Sequence, residues 1–132
     1  MIVLDASVCA PWFLADEHHP VSNLAEEAFR QHGAVCPAHW PFEMGNLLLS
    51  AVRRGRLDSG AFREALRRIE TLPILIEAEP DLVAVADIAI EHGLTFYDAG
   101  YLETAMRRKA SLGTLDKALM RAAKAERVPL VE

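Results

Sequence analysis

Four acidic residues stand where short apolar runs give way to helical patterns. Asp5 follows Ile2-Val3-Leu4, Glu43 lies within Pro41-Phe42-Glu43-Met44-Gly45-Asn46-Leu47, Asp98 within Leu94-Thr95-Phe96-Tyr97-Asp98-Ala99-Gly100, and Asp116 follows Thr114-Leu115. Each has a plainer reading when taken alone. Aspartate is a favoured helix N-cap, and an acid in a first helical turn is favoured by the helix dipole. Glu43 sits in a strongly apolar segment, where a charge must be paired, solvated in a cleft or bound to a cation. Together the four are harder to dismiss, because an α/β fold carries strand ends and helix starts to one edge, where ligands bind. Carboxylates gathered there repel one another and raise each other's pKa. A hard divalent ion relieves that repulsion, and oxygen-only ligands suit Mg²⁺ or Mn²⁺, which keep several waters and bind phosphate oxygens. The implied chemistry is hydrolysis of a phosphodiester by metal-activated water.

The elements that would position these acids can be read from periodicity. Residues 2–5 form an apolar run too short for a helix and read as a buried strand. Residues 20–32 open on Pro20, place Leu24, Ala25, Ala28 and Phe29 on one face and stop at Gly33, the pattern of a helix. A second strand is expected at 34–36. Helical spacing returns from about Trp40 to Arg54 through Phe42, Met44, Leu47, Leu48 and Val52, and again over roughly 58–71 with Asp58 or Ser59 as cap. The β-branched run Ile74-Leu75-Ile76 predicts a third strand. Pro80 opens a helix expected to pack Leu82, Val85, Ala86, Ala89 and Ile90 before Gly93. A further helix spans about 97–110, with Tyr101, Leu102, Ala105 and Met106 inward. Residues 111–115 form a weaker strand candidate before a helix carrying Leu119, Met120 and Ala123, and 128–131 form a last strand whose Pro129 marks it as an edge. Strands alternating with helices predict an α/β fold, three-layered α/β/α, with a mostly parallel sheet of about five strands covered on both faces. At 132 residues, the chain is expected to form one domain, 1–132.

Composition bounds the function. Hydrophobic residues make up 52% and charged residues 25%, which excludes a disordered tail or a membrane bundle. No apolar stretch is long enough to span a bilayer, and Met1 leads into a strand rather than a secretory leader, so a cytoplasmic location is expected. Cys9 and Cys36 lack zinc-site spacing and read as buried small hydrophobes. His18, His19, His32, His39 and His92 show no metal-binding pattern and read as loop and surface residues. Trp12 and Phe13 are expected in core or interface packing. With 19 acids against 14 Lys and Arg the net charge is −5, at first sight unfavourable for nucleic-acid binding. The distribution is uneven, however. Arg53, Arg54, Arg56, Arg63, Arg67 and Arg68 face only Asp58 and Glu64 in their segment, six against two, and Arg107-Arg108-Lys109 form a second basic run. Lys117, Arg121 and Lys124 share a helix face. The stretch 70–91 holds six acids and no Lys or Arg.

The segments MIVLDAS, PFEMGNLL, LTFYDAGYLETAMRR and GTLDKALMRAAK, in that order, resemble the PIN domain, and more narrowly the VapC-type toxin ribonucleases of bacterial and archaeal toxin–antitoxin modules. The resemblance covers nearly the whole chain and has no departure at the acidic positions, although 53–91 carries no family motif. It implies that Asp5, Glu43, Asp98 and Asp116 are catalytic and hold Mg²⁺ or Mn²⁺, with Ser7, Asn46 and Thr114 orienting them. It further implies a metal-dependent endoribonuclease, an RNA substrate, a cognate antitoxin whose segment blocks the acidic cleft, and a homodimer.

Other classes are weaker. A phosphatase on such a sheet would place a second aspartate two residues after the first, but position 7 is serine. A phosphoacceptor domain would show paired acids near the first strand end and an acceptor aspartate after the third, where Glu77-Ala78-Glu79-Pro80 stands instead. A catalytically silent PIN-like module that only binds RNA or protein is the main alternative, and the intact acids argue against it.

Overall fold

A computed structural model describes residues 1–132. Its centre is a four-stranded parallel sheet built from β1 (Ile2–Leu4), β2 (Ala34–Pro37), β3 (Ile74–Glu77) and β4 (Ser111–Gly113), in the order β3-β2-β1-β4. Ile2 aligns with Ala34 on one side and with Ser111 on the other, and Ala34 aligns with Ile74. β1 is wholly buried, as its unbroken Ile-Val-Leu run requires of a strand flanked by two neighbours. The helices are α1 (Ala6–Cys9), α2 (Pro20–His32), α3 (Trp40–Arg53), α4 (Ser59–Thr71), α5 (Leu82–His92), α6 (Phe96–Arg108) and α7 (Lys117–Ala125). They fall into two packed groups, α1 to α4 and α5 to α7. α2 lies against β1 and β4, while α6 lies against β1, β2 and β4.

The connections place the site. From β1 the chain winds through α2 to β2 and onward to β3, whereas β4 is added on the opposite side of β1. The gap between the carboxyl ends of β1 and β4 is therefore a topological switch point, where open α/β sheets bind ligands. Asp5 leaves β1 there, its amide donating to Gly113 O at 3.0 Å. Thr114 and Asp116 follow β4 immediately.

Several expectations need correction. The fifth strand shrinks to one parallel bridge, Leu112 with Leu130. Leu112 donates to Pro129 O and Val131 donates back to Leu112 O, but Pro129 has no N–H with which to extend the ladder. β3 is an edge strand with Leu75 and Ile76 exposed, so the sheet is not covered evenly. On α5, Val85 and Ile88 face the core, while Leu82 and Ile90, expected to pack, are exposed, Ile90 at 82%. Phe42 and Leu47 on α3, Leu24 on α2 and Met106 on α6 are likewise turned outward. A short helical passage was not foreseen: α1 runs into a single 3₁₀ turn, Ala10–Phe13. Trp12 stacks on Phe29 at 5.9 Å and donates its indole N–H to Ser22 O, which makes it a packing residue. Cys9 and Cys36 are both buried, and burial holds their thiols up, Cys36 to about 12, in keeping with inert core cysteines.

Candidate active site

Asp5 is the most firmly held of the four acids. It is 4% exposed and accepts three hydrogen bonds, from Ser7 N at 3.1 Å, Ser7 Oγ at 2.8 Å and Thr114 Oγ1 at 2.6 Å. The first of these caps α1, so the capping role and a functional one are not exclusive. Ser7 Oγ also accepts from Leu115 N, and Thr114 Oγ1 from Asp116 N, which ties the loops after β1 and β4 into one hydrogen-bonded unit. Asp116 completes it by capping α7, its Oδ1 accepting from Leu119 N at 2.8 Å.

Asp98 and Glu43 approach from helices. Thr95, not Asp98, caps α6, accepting from Asp98 N at 3.1 Å. Asp98 lies in the first turn, half-buried, with the Thr95 hydroxyl beside its carboxylate. Glu43 lies in the first turn of α3, and its Oε1 accepts from Tyr101 Oη at 3.0 Å. Asn46, expected beside the acids, is exposed one turn further along α3 and bonds to none of them.

The electrostatics place the four in one neighbourhood. Burial raises the Glu43 carboxyl above its usual range, the Tyr101 hydrogen bond opposes this, and the charges of Asp5 and Asp98 raise it further. Burial likewise raises Asp98, followed by the charges of Asp5 and Asp116. No three of the four bring their oxygens within 4.8 Å of one another. A tighter group lies elsewhere: Glu91, His92 and Glu126, where His92 Nε2 is 2.7 Å from Glu126 Oε1.

A pH prediction follows from the two raised carboxyls. A folded pKa above the unfolded value contributes stability that is full below the unfolded pKa and lost as pH rises through the folded one. In metal-free protein, Glu43→Gln and Asp98→Asn should therefore melt above wild type near neutral pH. The difference should vanish on acidification to about pH 4, the ordinary carboxylate range. Thermal melts across that window check the result.

His39, expected as a loop and surface residue, lies in a turn but is largely buried. It precedes α3, and its ring packs 4.8 Å from Tyr101 edge-on and 5.1 Å from Tyr97. A Cβ at position 100 would lie 2.8 Å from His39 Cε1, so glycine is what allows the imidazole to lie against α6. Burial holds His39 below its usual pKa, favouring the neutral ring beside Glu43, whose Oε1 is 3.3 Å from Nε2. The signal was present in the sequence: His39 and Glu43 stand at i, i+4, as Asp98 and Tyr101 stand at i, i+3. His92 was also misread, since it is mostly buried against Glu126.

The basic clusters separate sharply. Arg107 reaches Glu103 at 2.7 Å and also pairs with Glu77, which Arg108 joins, so these two arginines are spent on the fold. Arg56 is clamped by Asp16 and Glu17 at 3.0 and 2.9 Å. Arg67 pairs with Glu64, and Arg68 lies over the Phe13 ring at 5.1 Å.

The model of the PIN domain matches residues 2–125. Exonuclease VapC9 of Pyrobaculum aerophilum is 37% identical over 79 residues, 60% of this chain and 59% of that protein, so the alignment spans under two thirds of the relative. Among solved structures, PAE2754 from Pyrobaculum aerophilum superposes with a TM-score of 0.74 at 26% identity, covering 98% of this chain and 88% of that one. FitAcB from Neisseria gonorrhoeae superposes with a TM-score of 0.69 over 100% of this chain and 97% of that one, and at 20% identity the likeness is one of fold.

Proposed function

The chain belongs to the PIN domain family, and from that premise we propose that it is a metal-dependent endoribonuclease, the toxin of a toxin–antitoxin pair. The observation that carries this reading is the set Asp5, Glu43, Asp98 and Asp116 around the switch point of the sheet, with Glu43 and Asp98 raised by burial and then by their neighbours' charge. The donor set is oxygen only and acidic, and its spacing suits a hard ion that keeps its own waters, Mg²⁺ or Mn²⁺. Asp5 and Asp98 are the proposed direct holders, with Glu43 and Asp116 binding through water. Such an ion, when bound, lowers the pKa of a water and polarises the scissile phosphate.

The protein's own groups divide the remaining work. Ser7 and Thr114 fix the Asp5 carboxylate, so its charge is positioned before substrate arrives. Glu43 is the proposed proton acceptor for the attacking water, because a carboxyl raised above its usual range is a better base than an ordinary one. Tyr101 occupies Oε1, leaving Oε2 as the atom to take the proton. Tyr101 holds Glu43 in place, and neutral His39 lies beside it without adding positive charge.

The name of the relative VapC9 states an exonuclease. We assign this chain internal cleavage, a cytoplasmic setting, a homodimeric state and an antitoxin segment that answers the carboxylates with a basic side chain. No helix is long and apolar enough to cross a membrane. Incubation with a circular single-stranded RNA tests the activity and its mode together. Linearisation should require Mg²⁺ or Mn²⁺ and stop with chelator. Loss of linear RNA alone would mean exonuclease action, and an intact substrate under all metals would leave a binding module.

A further inference from the structure

A cleft of about 240 Å³ opens beside the acidic site and is lined by Ser7, Leu47, Ser50, Arg54, Arg56 and Glu17, among others. Ser7 hydrogen-bonds Asp5, so the cleft begins where the site ends. Along α3, Glu43, Leu47, Ser50 and Arg54 stand at i, i+4, i+7 and i+11, one face of a helix. At a rise of 1.5 Å per residue, Arg54 lies roughly 16 Å along the axis from Glu43. The charges in the cleft are unequal in kind. Arg56 and Glu17 face each other as an ion pair at 2.9 Å, and Asp16 holds the other side of Arg56. Arg54 makes no ion pair and no side-chain hydrogen bond and is exposed, so its guanidinium is the charged group of the cleft that no protein side chain engages. Of the arginines in 53–68, it is the one that joins the cleft with its charge unspent.

We propose that this cleft is a phosphate subsite of the substrate, in which Arg54 binds an RNA backbone phosphate a few nucleotides from the bond at the acidic site. This inference rests on the ribonuclease reading. A nucleic acid whose scissile phosphate lies among carboxylates needs compensating contacts elsewhere, and a guanidinium at the far end of the same helix face supplies one. The contact fixes how the strand enters and carries no base preference.

The test is binding of a short fluorescent single-stranded RNA by the full chain in chelator, where cleavage cannot intervene, as salt is varied. Arg54→Gln should bind several-fold more weakly, and its plot of log affinity against log salt should be shallower by about 0.7, the value for one phosphate contact on a single strand. Arg54→Lys should retain most of the slope, and Arg63→Gln, on the exposed face of α4, should match wild type. Equal affinity and slope for Arg54→Gln and wild type would overturn the subsite. So would the absence of RNA binding by either, which would leave the cleft to an acidic protein segment. Arg54-dependent binding together with no metal-dependent cleavage by wild type would uphold the subsite and sink the nuclease reading alone.

Discussion

Asp98→Asn should fold normally and lose RNA cleavage by about a hundredfold to a thousandfold, the usual cost of removing one preorganised charge from a site of this kind. The carboxylate is half-buried and does not cap α6, a task that falls to Thr95. Burial, then the charges of Asp5 and Asp116, oppose its ionisation and outweigh the Thr95 hydroxyl that favours it. The variant therefore separates function from stability in a way that Asp5→Asn does not. Asparagine at position 5 would also lose cleavage. It would in addition place an amide NH₂ where Oδ1 or Oδ2 now accepts from Ser7 and Thr114, loosening the junction between β1 and β4. Initial rates on a labelled RNA, read beside a thermal melt, check both. An Asp98→Asn protein that cleaves at the wild-type rate would remove Asp98 from the site.

The largest stability effect is expected far from the chemistry. Glu103 is 4% exposed on α6, and its carboxylate is met by Arg107 Nε at 2.7 Å and Nη2 at 3.1 Å. Arg107→Ala would strand that buried charge, a loss of about 3–5 kcal/mol for a fully buried pair. The Arg107 side chain is 37% exposed and partly screened, so about 2–3 kcal/mol is expected here, a fall in Tm of roughly 10 °C. Adding Glu103→Gln should recover much of the loss, because the stranded charge goes with it. Arg107 also holds Glu77 at the end of β3 below the usual carboxylate range, with Arg108 assisting. A depressed carboxyl contributes stability above its unfolded pKa and loses it as pH falls through the folded one. The Arg107→Ala deficit should therefore shrink below about pH 4.3. Additive losses in the double variant would mean that Arg107 acts through packing alone.

The pattern of these two sites explains what was legible in the sequence. Asp5 could be found because Ile2-Val3-Leu4 fixes a buried strand and the next residue must leave its carboxyl end. Asp58 as the cap of α4 and Gly33 as the stop of α2 were local signals of the same kind. Ile90 was misplaced because α5 is apolar nearly all round, Leu82-Val83-Ala84-Val85, so periodicity could not choose its inner face. Arg107 and Arg108 read as a free basic run because their partner Glu77 lies thirty positions away, beyond any local pattern. The short α1 and its 3₁₀ turn were hidden by Pro11 and by a length too small for a period to show. Long-range partners, rather than local propensity, decide which charges in this chain are spent on the fold and which are left for a ligand.

Calorimetric titration of metal-free protein with Mn²⁺ tests the central claim most directly, because the fold holds two acidic groups that could bind it. Wild type and Glu126→Gln should bind alike and be stabilised by the ion, while Asp98→Asn should bind much more weakly. Binding that survives Asp98→Asn and is lost in Glu126→Gln would place the metal at Glu91, His92 and Glu126 instead, and would contradict the proposed site.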